Sequence, residues 1–216
     1  MTVSQPIVCN INDLGIFRGG SWLIYQFSCT IAEGECWLLT GTNGSGKTSL
    51  LRVIGGLCLP DKGNIVYTRN KSDNPFLMYL ASPPPKILEL SVIDNIRYQA
   101  LLRMGKQFSD ATLHKALAYW EMRDLANQPV FQLSQGQQQC VALTLLLLES
   151  PRLWLLDEPT TALDATRGDM FWALCREHQQ KGGSLMIATH QMPTVEMYNM
   201  KYMQLGIPTA HIDAVR

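Results

Sequence analysis

Long apolar runs are missing from this chain. The longest, from Val141 to Leu148, falls far short of the roughly 20 residues that a membrane-spanning helix needs. That excludes a protein that threads a bilayer with its own helices. A charge excess is missing too: 18 Lys and Arg balance 18 Asp and Glu, and the isoelectric point is near 6.9. Such a balance gives no whole-molecule grip on nucleic acid, so none is expected as a partner. The six cysteines contain no C-x-x-C pair and have no histidine at zinc spacing. They read as buried thiols of a reducing compartment. Met1 to Asn12 lacks the basic stretch and apolar core of a secretory leader. No repeat and no low-complexity segment appears. The 216 residues, 46% hydrophobic and 17% charged, make one sizeable globular domain. It is expected in the cytoplasm, and it meets a membrane only through a partner.

What is present alternates strands with helices. Ile7 to Ile11, Trp22 to Ile31 and Cys36 to Thr40 read as strands, with Glu33-Gly34 as a turn. After Gly46 the period changes: Ser49, Leu50, Leu51, Val53, Ile54 and Leu57 fall at helical spacing, and Pro60 follows the helix end. Ile65 to Tyr67 and Phe76 to Leu80 are short strands around a polar turn, Asn70 to Asn74. Pro83-Pro84-Pro85 breaks regular structure. From Val92 to Asn127 the period is helical, as in a helical subdomain inserted into an α/β core. Ser134 starts a long helix that runs to about Glu149. Leu153 to Leu156 and Ser184 to Ala188 are buried strands that flank a helix from Ala165 to Gln180. Buried strands alternating with helices predict a parallel sheet.

Gly41 to Thr48 reads GTNGSGKT, which matches G-x-x-x-x-G-K-[ST]. Gly41, Gly44 and Gly46 let the backbone turn successive N–H groups toward a phosphate. The helix that follows offers its N-terminal dipole to the anion. Lys47 can reach the β- and γ-phosphates, and Thr48 can give its hydroxyl to Mg²⁺. An apolar strand before the loop and an amphipathic helix after it separate this motif from a chance glycine-rich turn.

Leu153 to Glu158 reads LWLLDE, a buried strand that emerges at a pair of carboxylates. Asp157 can hold Mg²⁺, and Glu158, pointing elsewhere, can act as a general base on water. Many buried strands end in an acidic residue, so this motif gains weight only beside the phosphate loop. His190 follows the Ser184 to Ala188 strand and can contact a γ-phosphate; alone, a histidine at a strand end reads as structural. Leu133 to Gln137, LSQGQ, opens a helix with Ser134 at its N-cap and Gly136 in its first turn.

LSQGQ resembles the L-S-G-G-Q signature of ABC-type ATPases, with Gln135 in place of the first glycine. The order is also theirs over nearly the whole chain: phosphate loop, helical insert, signature, LWLLDE, then Thr161 to Asp164, then His190. GTNGSGKTSLLRVIGGL, LSQGQQQCVAL, LWLLDEPTTALD and ATHQ are most similar to the cytochrome c maturation (CcmA) type. The resemblance implies an ABC-type P-loop NTPase, with a mixed, mainly parallel sheet, an antiparallel β subdomain and an inserted helical subdomain. The nucleotide-binding core would be 1–82 and 133–216, and the helical part 83–132. It implies ATP and Mg²⁺ as cofactors, and hydrolysis of ATP to ADP and phosphate with Lys47, Glu158 and His190 as catalytic residues. ATP would lie on Gly41, Thr42, Asn43, Gly44, Ser45, Gly46, Lys47, Thr48 and Ser49, and Mg²⁺ on Thr48 and Asp157. Two copies would pair head to tail, so that Ser134, Gln135, Gly136, Gln137 and Asp164 act in trans. A CcmB-like integral membrane permease would dock near Ser82 to Asn95, at the cytoplasmic face of the inner membrane. The work implied is haem export or release of haem from a chaperone; the chain itself has no C-x-x-C-H motif.

Two alternatives remain: another ABC exporter or importer, and a soluble ABC ATPase of the iron–sulfur assembly type. DNA-repair members need a long coiled coil, and Val92 to Gln132 holds no sustained heptads. The family's usual glutamine after the strand at Phe76 to Leu80 is Pro83 here, with Ser82 the nearest polar substitute. Gln139 and Cys140 replace the basic residues that often follow the signature. Phe17 and Trp22 are candidates for stacking on adenine.

Overall fold

The computed structural model describes residues 5–68 and 76–206 and the backbone of 212–214. The turn expected at Asn70 to Asn74 lies outside these residues. Two sheets share the chain. In the smaller, β1 (Ile7–Arg18) lies between β2 (Ser21–Ala32) and β4 (Lys62–Tyr67), antiparallel to both. The larger contains β3 (Cys36–Thr40), β5 (Leu77–Leu80), β6 (Leu153–Asp157), β7 (Ser184–Ala188), β8 (Met200–Gln204) and β9 (Ile212–Ala214). Its order is β5-β6-β7-β3-β8-β9, parallel throughout except for β9. The first strand outruns the expected Ile7 to Ile11. Its register shifts between Ile11 and Leu14 and again before Ile16, bulges that let one strand bend and keep its pairing.

The helices are α1 (Lys47–Ile54), α2 (Val92–Met104), α3 (Asp110–Tyr119), α4 (Gln135–Leu143), α5 (Leu145–Leu148) and α6 (Ala165–Gln180). Between α1 and α4, the described residues from 92 to 132 hold two α-helices and two short 3₁₀ turns. Among the described residues no helix is long and apolar enough to cross a membrane. The single helix expected from Ser134 to about Glu149 is broken at Thr144. Its hydroxyl donates to the Cys140 carbonyl at 2.8 Å, a local bond that bends helices.

Two apolar layers cover the two faces of the larger sheet. Leu153, Leu155, Met186, Ala188, Trp37 and Leu39 pack toward α1 and the smaller sheet. The alternate residues Trp154, Leu156, Leu185, Ile187 and Leu38 pack toward α2 through α6. β6 is buried along its whole length, which is why its sequence is an unbroken apolar run. Truncating Leu155, fully buried in this layer, costs about 2–5 kcal/mol. That rigidity holds the carboxyl ends of β3, β6 and β7 side by side, where open parallel sheets place their ligands.

Candidate functional site

The loop after β3 turns through Gly41, whose φ is +140°. A Cβ there would meet the Leu205 carbonyl oxygen at 2.6 Å and the Ser45 hydroxyl at 2.7 Å, so only glycine fits. No side chain caps α1; Gly46, in a left-handed conformation, precedes it. The first amides of α1 therefore stay available to an anion. Lys47 folds back over the loop, donating to the Gly41 and Thr42 carbonyls at 2.7 and 3.3 Å. The loop from Asn43 to Ser49, with Asp157, Glu158, Arg18 and Leu23, encloses a cleft of about 400 Å³.

Asp157 ends β6 and is 3% exposed. Burial raises its carboxyl above the ordinary aspartate value, partly offset by the Thr48 hydrogen bond and by Arg52 and Lys47. Its Oδ2 is buried without a hydrogen-bond partner. Glu158, with φ +46°, turns the chain away from the strand line, and its N–H donates to the Ala188 carbonyl at 2.8 Å. Its carboxyl is also raised by burial and held down in part by His190 and Lys47. His190 Nε2 lies 3.5 Å from Glu158 Oε1 and 3.5 Å from Lys47 Nζ. The phosphate loop, Asp157 and Glu158 thus line one cleft, and His190 stands beside it, in reach of Glu158 and Lys47.

LSQGQ stands elsewhere. Ser134, Gln135, Gly136 and Gln137 do not line this cleft, and neither does Asp164. Ser134 and Gln137 form a reciprocal capping box at the exposed start of α4, with bonds of 2.9 and 3.2 Å. Asp164 caps α6, accepting from the Arg167 amide at 2.8 Å and its guanidinium at 2.7 Å. Those bonds lower its carboxyl below the ordinary value. Phe17 and Trp22 meet edge to face, centroids 5.3 Å apart, and neither lines the cleft. Pro83 and Ser82 do not line it either.

Some contributors escape the sequence. Gln139, read there only as a lost basic residue, is buried, and its amide donates to the Pro159 carbonyl at 2.9 Å. It ties α4 to the loop that follows Glu158. A glutamine on the apolar side of a capped helix is the signal that could have found it. Leu205 backs Gly41 only because β8 pairs with β3, and no local pattern announces that.

Residues 24–161 match the model of the ABC transporter family. The cytochrome c biogenesis ATP-binding export protein CcmA 2 of Cupriavidus metallidurans is 38% identical over 192 residues, 85% of this chain and 90% of that protein. The corresponding CcmA of Vibrio cholerae is 33% identical over 204 residues, 92% of this chain and 98% of that one. A solved ATP-binding cassette, a dimer in a post-hydrolysis state bound to ADP and Pi, superposes with a TM-score of 0.82. At 22% identity, over 96% of this chain and 99% of that one, it shares the fold. Another, the ATP-binding subunit of an ABC transporter, superposes with a TM-score of 0.77 at 23% identity, over 92% of this chain and 85% of that one. With a phosphate loop, an acidic strand end and a second capped helix start in the expected order, this chain belongs to the ABC transporter family, among the ATP-binding proteins of the CcmA type.

Proposed function

We propose that this chain is the ATP-hydrolysing subunit of a membrane complex in c-type cytochrome biogenesis, energising haem export or the release of haem from its chaperone. The observation that carries this is the 38% identity spanning 90% of a cytochrome c biogenesis export protein. The placing of Lys47, Asp157 and Glu158 on one cleft, with His190 3.5 Å from both Lys47 and Glu158, supports it.

ATP lies with its phosphates over Gly41 to Ser49, on the free amides that open α1. Lys47 exchanges the Gly41 and Thr42 carbonyls for phosphate oxygens. The site fits Mg²⁺: the buried, unpartnered Oδ2 of Asp157 and the hydroxyl of Thr48 stand together. Those side chains would hold the ion, which neutralises charge on the β- and γ-phosphates when bound. Glu158 takes a proton from the attacking water, and a carboxyl raised by burial is better suited to that than an ordinary glutamate. His190 orients the water against the γ-phosphate. With proline at 83, Glu158 and His190 do this without the family's glutamine.

Two copies pair head to tail, so that Ser134, Gln135, Gly136 and Gln137 of one copy cover the ATP of the other and Asp164 lies at their interface. The exposed α4 start, which does not line its own cleft, supports that reading. A CcmB-like permease docks near Ser82 to Asn95 and places the pair at the cytoplasmic face of the inner membrane.

The test is a pull-down of tagged Glu158→Gln protein from detergent-solubilised native membranes, read by mass spectrometry and haem absorbance. Recovery of an integral membrane subunit with cytochrome c maturation proteins is the expected result. A different permease overturns the haem role; soluble partners alone overturn transport.

A further inference from the structure

The segment after the three prolines is stitched to the segment that leads into LSQGQ. Val130 and Phe131 donate their amides to the Leu90 and Leu88 carbonyls at 3.0 Å, and Val92 donates to Gln128 at 3.0 Å. Ser91 and Pro129 form an antiparallel bridge. Asn95, 1% exposed, accepts from the Ile87 amide at 2.8 Å and donates to the Ile87 carbonyl at 2.7 Å. Lys86 therefore projects from a fixed base. Its ammonium donates to Gln138 Oε1 at 2.6 Å. The Gln138 amide nitrogen donates in turn to the Val130 carbonyl at 3.1 Å and the Leu133 carbonyl at 3.0 Å.

Leu133 immediately precedes Ser134, the N-cap of α4. One lysine thus holds the amide that satisfies two loop carbonyls at the entrance to the signature. Without that amide the Val130 carbonyl keeps only the Leu133 amide at 3.1 Å, the Leu133 carbonyl needs another donor, and the loop is freer to turn toward water. Lys86 does not line the nucleotide cleft, so its place is not explained by contact with its own ATP.

We propose that Lys86 is a positioning residue for the partner copy's ATP: through Gln138 it fixes the orientation in which Ser134 and the first turn of α4 are presented. The proposal rests on the head-to-tail reading given above. It also makes the segment after Pro83 to Pro85 continuous with the signature, so a shift of one carries the other.

The full chain carrying Glu158→Gln, which blocks turnover, is used for the test. ATP affinity is measured on dilute monomer, and ATP-driven dimer formation by analytical ultracentrifugation. Loss of a charged hydrogen bond predicts that Lys86→Met raises the dimer dissociation constant about tenfold and leaves monomer ATP affinity within about twofold. Gln138→Leu does the same, and Lys86→Arg restores the dimer. An unchanged dimer in Lys86→Met overturns the proposal, and so does an equal loss of nucleotide affinity and dimer, which marks general misfolding. Ser134→Trp separates the two claims. If it dissolves the dimer and Lys86→Met does not, the positioning role alone falls; if it too leaves the dimer intact, the head-to-tail reading falls and takes this role with it.

Discussion

Gly136 touches Ala162 so closely that a Cβ on the glycine would stand 2.6 Å from the Ala162 carbonyl oxygen. The two residues join the start of α4 to the loop that follows Glu158, where Ala162 itself is left-handed with φ +69°. Gly136→Ala therefore destabilises the fold by about 1–3 kcal/mol through overpacking. ATP affinity of the monomer stays, because the phosphate loop is untouched, while turnover falls. Thermal denaturation beside nucleotide titration checks this; an unchanged Tm contradicts it.

Asp157 destabilises the empty protein. Its folded carboxyl lies above the ordinary value, so the ionised form is the less favoured one in the fold. Stability from this group is present at low pH and is lost as pH rises above 3.8 through the raised value. Asp157→Asn at neutral pH should raise Tm by roughly 2–4 °C in the absence of nucleotide. The same variant should lose the further stabilisation that Mg²⁺ adds to ATP. A lower Tm would contradict this reading of the buried carboxylate.

His178 acts in the opposite sense. Its ring stacks on Trp154 at 3.8 Å with planes 6° apart, and it is buried. Burial pushes its pKa from 6.5 down to about 4. In the unfolded chain the ring protonates near 6.5, so the unfolded state holds more protons across that interval. The contribution is full above pH 6.5 and about 3 kcal/mol is lost as pH falls toward 4. His178→Phe keeps a flat ring on Trp154 and should flatten the pH dependence of unfolding in that window. Parallel curves for the two proteins would refute the assignment.

The turnover profile should show the raised carboxyl of Glu158. The base must be ionised, so the rate falls on the acid side with a midpoint above the ordinary glutamate value of 4.5. His190 holds that carboxyl down in part. His190→Gln should therefore move the acid limb to higher pH while lowering the rate. A lower rate with an unmoved limb leaves His190 no electrostatic part in the step.

The phosphate loop is legible in sequence because its chemistry is local: glycines, lysine and threonine act within one turn of each other. β6 is legible because burial on both faces leaves it no choice but apolar residues. β8 is not. Met200 to Gln204 mixes methionine, lysine and tyrosine, is half-buried over most of its length, and takes its place only by pairing with β3. The break at Thr144 hides in a leucine-rich run, since a hydroxyl that bonds to its own helix leaves the apolar period unchanged. Phe17 and Trp22 read alike as adenine platforms, and their edge-to-face pairing is a contact across a hairpin that periodicity cannot register.

The most direct measurement is Mg²⁺-dependent phosphate release from ATP by purified wild-type protein, set against Glu158→Gln at equal nucleotide occupancy. Wild type should turn over, and the variant should bind ATP but release phosphate about 10²–10⁴-fold more slowly, the range expected for loss of a general base. A wild-type rate no higher than that of Glu158→Gln would contradict hydrolysis at this cleft.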